Sequence, residues 1–256
     1  MNDMTLPPTQ QDEPLLEVRD LSKSFGPVQA LANLTMMVRA GEVVALAGDN
    51  GAGKTTLIKA ISGVYRPSSG EILLNGQPVN FASPQEARDQ GIETIYQDLA
   101  LADNLTIGGN IFLGREPMRR AFGILPVLDR AKMAEAAKQT MALLDFHVSR
   151  LDAPVSNFSG GQRQAVAIGR AVYWNARILI MDEPTAALGV PEQRKVISLI
   201  HQLKAQGRGV IFISHNLQDI FAVADRIVVL RRGVQAGERR ISDTTHDEVV
   251  KLMIGG

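Results

Sequence analysis

Cysteine is missing from all 256 residues, which excludes disulfides, thiolate metal sites and a cysteine nucleophile. Net charge is missing too, since 27 Lys and Arg offset 27 Asp and Glu. Clamping nucleic acid over a broad basic surface needs surplus cations, so no nucleic-acid partner is expected. No uninterrupted apolar run approaches the ~18 residues of a membrane-crossing helix. The runs are short, as at Val43–Ala47, Ile178–Met181 and Ile227–Leu230. The opening MNDMTLPPTQQDEPLL has no basic start followed by an apolar stretch, which argues against a secretory signal. The expectation is a chain that is soluble or held at a membrane by a partner. What is present is 45% hydrophobic residues, ample for a buried core, in a length that matches one to two domains at ~150 residues each.

Residues 1–14 are polar and Pro-rich and read as a flexible lead-in. Between Leu15 and Val38, short alternating runs such as Leu16, Val18 and Leu21 predict strands of an antiparallel layer. Val43–Ala47 is continuously apolar, as a strand covered on both faces requires. A Gly-rich turn follows, then a helix over Lys54 to Ser62 that Gly63 can end. Ser83-Pro84-Gln85-Glu86 reads as a capping box that starts a short helix. From Gln97 to Phe158 the apolar spacing is mostly helical, as in Met133, Ala137, Met141 and Leu144, and predicts a helical insertion. Three buried-strand runs then return at 178–181, 210–213 and 227–230. The helices between them carry Val196, Leu199, Ile200 and Leu203 on one face, and Leu217, Ile220, Phe221 and Ala224 on the other's. Strands alternating with helices imply an α/β fold with a mostly parallel sheet.

The run GDNGAGKTT at 48–56 fits G-x-x-x-x-G-K-[ST], with Gly48, Gly53, Lys54 and Thr55 in register. Such a loop lets successive backbone N–H groups point at phosphate oxygens, and the following helix adds its positive end. Lys54 would reach the β- and γ-phosphates and the Thr55 hydroxyl would hold Mg²⁺. Ile178–Met181 leads into Asp182-Glu183, two carboxylates at a buried strand's end. They are costly there unless they meet a cation or water. Asp182 can bind the Mg²⁺ shell and Glu183 can polarise an attacking water. Upstream, Ser159-Gly160-Gly161-Gln162 opens a helix with Ser159 as N-cap, a second candidate anion site or an ordinary capped helix. His215 follows the strand ending at Ile213, at the sheet's C-terminal edge; His147, His201 and His246 carry no motif. Trp174 and the Met36-Met37 pair read as packing residues.

With GDNGAGKTT, Tyr96-Gln97, FSGGQ, ILIMDEP and Ile213-Ser214-His215 in that order, the chain resembles the ATP-binding cassette family of transporter ATPases over roughly residues 15–254. The resemblance implies a P-loop NTPase core with an N-terminal antiparallel β layer, a single nucleotide-binding domain over 15–256 and a helical subdomain at about 97–160. It implies ATP and Mg²⁺ as ligands. Phe25 would stack on adenine, although core packing accounts for it equally. Gly48, Asn50, Gly51, Ala52, Gly53, Lys54, Thr55 and Thr56 would hold phosphates, and Thr55, Gln97 and Asp182 the metal. Glu183 would act as base or water-orienting group, Gln97 would touch Mg²⁺ or that water, and His215 would stabilise the γ-phosphate. Ser159, Gly160, Gly161 and Gln162 would close the site of a second, head-to-tail copy.

Two departures stand out: Phe158 stands where the family usually has Leu, and Ala186-Ala187-Leu188-Gly189 stands where it usually has Ser-Ala-Leu-Asp, whose Asp communicates across the dimer. NLTI at 104–107 and NIFLGRE at 110–116 resemble cassettes of ribose-, xylose- and fructose-type importers. That implies a homodimer docked by its helical insertion on integral-membrane permease subunits, at the cytoplasmic face of a bacterial inner membrane. A periplasmic sugar-binding protein would act indirectly, and fructose or ribose is the expected cargo. Alternatives are an importer of another small solute such as an amino acid, a non-transport cassette of DNA repair or the ribosome, and an ATP-sensing module without turnover.

Overall fold

A computed structural model describes residues 13–121, 124–146, 150–186 and 188–255. Most of the expected lead-in, His147 and Ala187 lie outside these residues. In chain order, β1 (Leu16–Phe25) and β2 (Val28–Val38) form a hairpin and β3 (Val43–Ala47) runs into α1 (Lys54–Ile61). β4 (Ser69–Leu74), β5 (Gln77–Val79), α2 (Pro84–Asp89) and β6 (Ile92–Ile95) follow. The insertion holds α3 (Ile107–Ile111), β7 (Met118–Ala121), β8 (Leu125–Leu128) and α4 (Arg130–Leu143). The remainder is α5 (Gly160–Tyr173), β9 (Ile178–Asp182), α6 (Val190–Ala205), β10 (Gly209–Ile213), α7 (Leu217–Val223), β11 (Arg226–Arg231), β12 (Val234–Arg240) and α8 (His246–Ile254).

The larger sheet has the order β12-β11-β3-β10-β9-β6 and is parallel except for β12. The smaller sheet, β2-β1-β4-β5, is antiparallel. Because side chains alternate along a strand, each central strand feeds two cores. Val44 and Leu46 point, with Ile180, Ile211 and Val228, toward α1 and the antiparallel layer. Val43, Ala45 and Ala47 point, with Leu179, Phe212 and Val229, toward α5 and α6. All five residues of β3 are buried, which is why its sequence is continuously apolar. The face expected for α6 is the buried one: Val196, Leu199, Ile200 and Leu203.

Besides α3 and α4, the insertion holds β7 and β8, which form a separate two-stranded ladder. One expectation needs correction. At α2, Ser83 Oγ accepts from the Glu86 N–H, but the Glu86 carboxylate accepts from Ala82 N–H at 2.8 Å, so the capping box is displaced by one residue. Trp174 does pack as expected: its Nε1 donates to the Ile111 carbonyl at 2.8 Å, pinning α3 to the end of α5. His246 stacks on Phe221 with ring centroids 4.0 Å apart.

Candidate functional site

The C-terminal ends of β3, β6, β9 and β10 open into one cleft of about 1040 Å³. Gly48 makes the turn out of β3 with φ +147, and a Cβ there would lie 2.3 Å from the Leu230 carbonyl oxygen. The loop can therefore leave β3 beside β11 only with glycine at this position. At α1 no side chain caps the N-terminus, so its first N–H groups are left to face the cleft. Lys54 Nζ lies 2.5 Å from the Gly48 carbonyl oxygen and 3.1 Å from that of Asp49. Burial lowers the Lys54 pKa, against the opposing pull of Glu183, Asp182 and Asp49. A desolvated ammonium held by two carbonyls gains more from phosphate oxygens, so the site suits a polyanion.

Asp182 ends β9, in register with Ile213 at the end of β10. Burial raises its carboxyl pKa, the Glu183 charge raises it further, and Lys54 opposes both. Glu183 has φ +53, in the left-handed region, and its N–H donates to the Ile213 carbonyl at 2.9 Å. Its carboxylate Oε2 lies 2.8 Å from His215 Nδ1. Gln97, two residues beyond β6, lines the same cleft and shares a second recess with Asp182.

The cleft thus collects Gly48, Asn50, Gly51, Ala52, Gly53, Lys54, Thr55, Thr56, Gln97, Asp182, Glu183 and His215. Thr55, Gln97 and Asp182 offer oxygen ligands, a set that fits Mg²⁺, which usually keeps waters and substrate phosphates in its shell. Among the described residues no group of three His, Asp or Glu could hold a metal by itself. The cleft wall also includes Gln29, Ala30, Arg232 and Gly233, which the sequence reading missed. They come from the start of β2 and the β11–β12 turn, and no motif marks them. The signal that joins them is tertiary, since Gly233 N–H donates to the Ala52 carbonyl at 3.0 Å.

Phe25 is not in the cleft wall. It is not core either: it is 42% exposed, with its ring edge-on to Tyr65 at 5.1 Å and Lys23 Nζ 5.1 Å from its centroid. The Ser159 group also lies elsewhere. Ser159, Gly161 and Gln162 line a separate cavity of about 370 Å³ against α6. Ser159 Oγ accepts from Gln162 N–H, and Gln162 Oε1 accepts from Ser159 N–H at 2.9 Å. That reciprocal cap commits the Gln162 side-chain oxygen and two backbone donors, and leaves the N–H groups of Gly160 and Gly161 for an anion. Gly189 is the N-cap of α6, and a Cβ there would meet Glu192 Oε2 at 2.8 Å.

A profile described as ABC transporter matches residues 31–186. The xylose/arabinose import ATP-binding protein XylG of Sulfolobus acidocaldarius is 49% identical, over 93% of this chain and 93% of its own. The fructose import ATP-binding protein FrcA of Rhizobium meliloti is 45% identical, over 95% of each chain. Against the ribose import ATP-binding protein RbsA of Chromobacterium violaceum, 45% identical, the chain spans 46% of the relative's length. A solved nucleotide-free ATP-binding cassette from an ABC transporter superposes with a TM-score of 0.79 at 26% identity, covering 95% of this chain and 96% of that one. On its motifs, its fold and these matches, the chain belongs to the ABC transporter family.

Proposed function

We propose that this chain hydrolyses ATP to drive import of a monosaccharide through a separate membrane permease. The observation that carries the catalytic reading is the single cleft in which Lys54, Gln97, Asp182, Glu183 and His215 meet. The sugar reading is supported by near-full-length similarity to proteins named for xylose/arabinose and fructose import.

In this reading the backbone N–H groups of residues 51–56 and the Lys54 ammonium hold the phosphates. Lys54 leaves the Gly48 and Asp49 carbonyls to do so. Thr55, Gln97 and Asp182 would hold Mg²⁺, which when bound would neutralise phosphate charge. Glu183 orients a water and accepts its proton as the oxygen attacks the γ-phosphorus and the bond to the ADP oxygen breaks. His215 turns from the Glu183 carboxylate toward the γ-phosphate. Positioning and charge stabilisation are the main demands of phosphoryl transfer, and these groups meet both.

Ser159 and Gly161 face a different cavity from the phosphate loop, which supports a head-to-tail pair in which each copy closes the other's site. A groove of about 320 Å³ between α2, β6, α5 and the insertion is lined by Arg88, Glu93, Tyr96, Arg115, Arg170 and Trp174. It suits a short permease helix laid into it. Among the described residues no helix is long and apolar enough to cross a membrane, consistent with a peripheral subunit beneath such a permease.

The test is uptake of labelled fructose, ribose, xylose and galactose by the source strain, set beside a strain carrying Lys54→Ala. Loss of uptake of one sugar is expected. Wild-type entry of all four would count against a sugar importer.

A further inference from the structure

Glu183 and His215 sit on two different loops, and the β9–β10 ladder ends at Asp182 and Ile213, one residue before the first and two before the second. Beyond it, among the described residues, one backbone hydrogen bond joins the loops, from Glu183 N–H to the Ile213 carbonyl. The contact between Glu183 and His215 does not hold the loops in register, because the histidine side chain is 77% exposed and in the proposed reaction turns toward the γ-phosphate.

A second tie lies just beneath. Thr185, two residues past Glu183, is 2% exposed, and its Oγ1 donates to Asp219 Oδ2 at 2.7 Å. Asp219 is 6% exposed and lies in the first turn of α7, four residues past His215. Among the described residues its side chain has this one hydrogen-bond partner. A buried carboxylate with a single hydroxyl partner is a poor way to stabilise a core, because an apolar pair of the same shape would serve as well. A hydrogen bond, unlike an apolar contact, fixes distance and direction together.

We infer that Thr185 and Asp219 are a positioning pair that sets the Glu183 loop against the His215 loop for the reaction. Neither residue faces the cleft, so they act through the two that do. The inference rests on the proposed ATP hydrolysis.

The experiment compares ATP turnover, KM for ATP and urea unfolding of the full chain with Thr185→Val, Thr185→Ser and the double variant Thr185→Val/Asp219→Leu. A displacement of about 1 Å at a reacting group costs on the order of 100-fold, so Thr185→Val should lower kcat by about 10- to 100-fold with KM within about twofold. Thr185→Ser, which keeps the hydroxyl, should recover to within about threefold of wild type. The double variant should regain the urea midpoint but not the turnover, because it restores packing without direction. Wild-type turnover in Thr185→Val, or full recovery of turnover in the double variant, would overturn the inference. If the unmodified chain does not hydrolyse ATP, the catalytic reading itself falls, and that outcome is seen before any variant is compared.

Discussion

Gly48 and Gly51 stand three residues apart in one loop, yet alanine should act on them in different ways. At Gly48 the backbone is at φ +147, where non-glycine residues cost about 1–3 kcal/mol. The added methyl would also sit 2.3 Å from the Leu230 carbonyl oxygen and 2.9 Å from Ala52 Cβ. Leu230 belongs to β11, which is hydrogen-bonded to β3, so its backbone cannot retreat without loosening the sheet. Overpacking of this kind adds about 1–3 kcal/mol, which brings Gly48→Ala to about 2–6 kcal/mol. Gly51 is at φ +80, but no atom lies within 4 Å of where its Cβ would be. Gly51→Ala therefore costs only the left-handed backbone, about 1–2 kcal/mol.

Urea unfolding followed by Trp174 fluorescence resolves the difference. With slopes of about 1–3 kcal/mol per molar urea, the midpoints should separate by about 1 M, Gly48→Ala being the weaker. Binding of a fluorescent ATP analogue should rank the folded variants differently: Gly51→Ala keeps its fold and loses affinity, because Gly51 lines the cleft. Equal midpoints for the two variants would refute the argument that the β11 contact, rather than loop composition, demands glycine at 48.

Two further predictions concern carboxylates. Asp182 has its pKa raised mainly by burial, so in the carboxylate range the folded state binds a proton more tightly than the unfolded state, and ionised Asp182 costs stability at neutral pH. Asp182→Asn should therefore melt higher than wild type without nucleotide at neutral pH, with the gap closing as pH falls to about 4, while ATP turnover is lost; calorimetry and a phosphate-release assay check the two halves. Glu93 is raised by burial in the same way, with Arg170, Arg88 and Arg115 opposing. The melting advantage of Glu93→Gln should likewise grow as pH rises from about 4 to neutrality, and an advantage that shrinks over that range would contradict the sign.

Legibility in the sequence followed burial and periodicity. β3 and α6 could be read because one is covered on both faces and the other on a single helical face. β6 went unread because Ile-Glu-Thr-Ile places two polar residues in a buried edge strand, and only the fold supplies the groove that Glu93 faces. β7 and β8 went unread because both leave most of their side chains exposed, so no alternation marks them. In the site, residues contiguous in motifs were legible as far as the cleft. At Phe25 the sequence left core packing and adenine stacking open, and its exposure beside Tyr65 of the segment after α1 and Lys23 of its own strand excludes the first. The role of Gln162 as a cap was a geometric fact that S-G-G-Q spacing allowed but did not single out from ligand binding.

The central claim is that one ATP site is built from the phosphate loop of one copy and the Ser159 group of another. It is tested most directly by mixing two inactive variants, Lys54→Ala and Ser159→Arg, and measuring ATP turnover of the mixture. In a head-to-tail pair of one of each, one site carries both defects and the other carries neither. Half of randomly formed pairs are mixed, so turnover should rise to about a quarter of wild type. A mixture no more active than the mean of its two components would contradict the shared site.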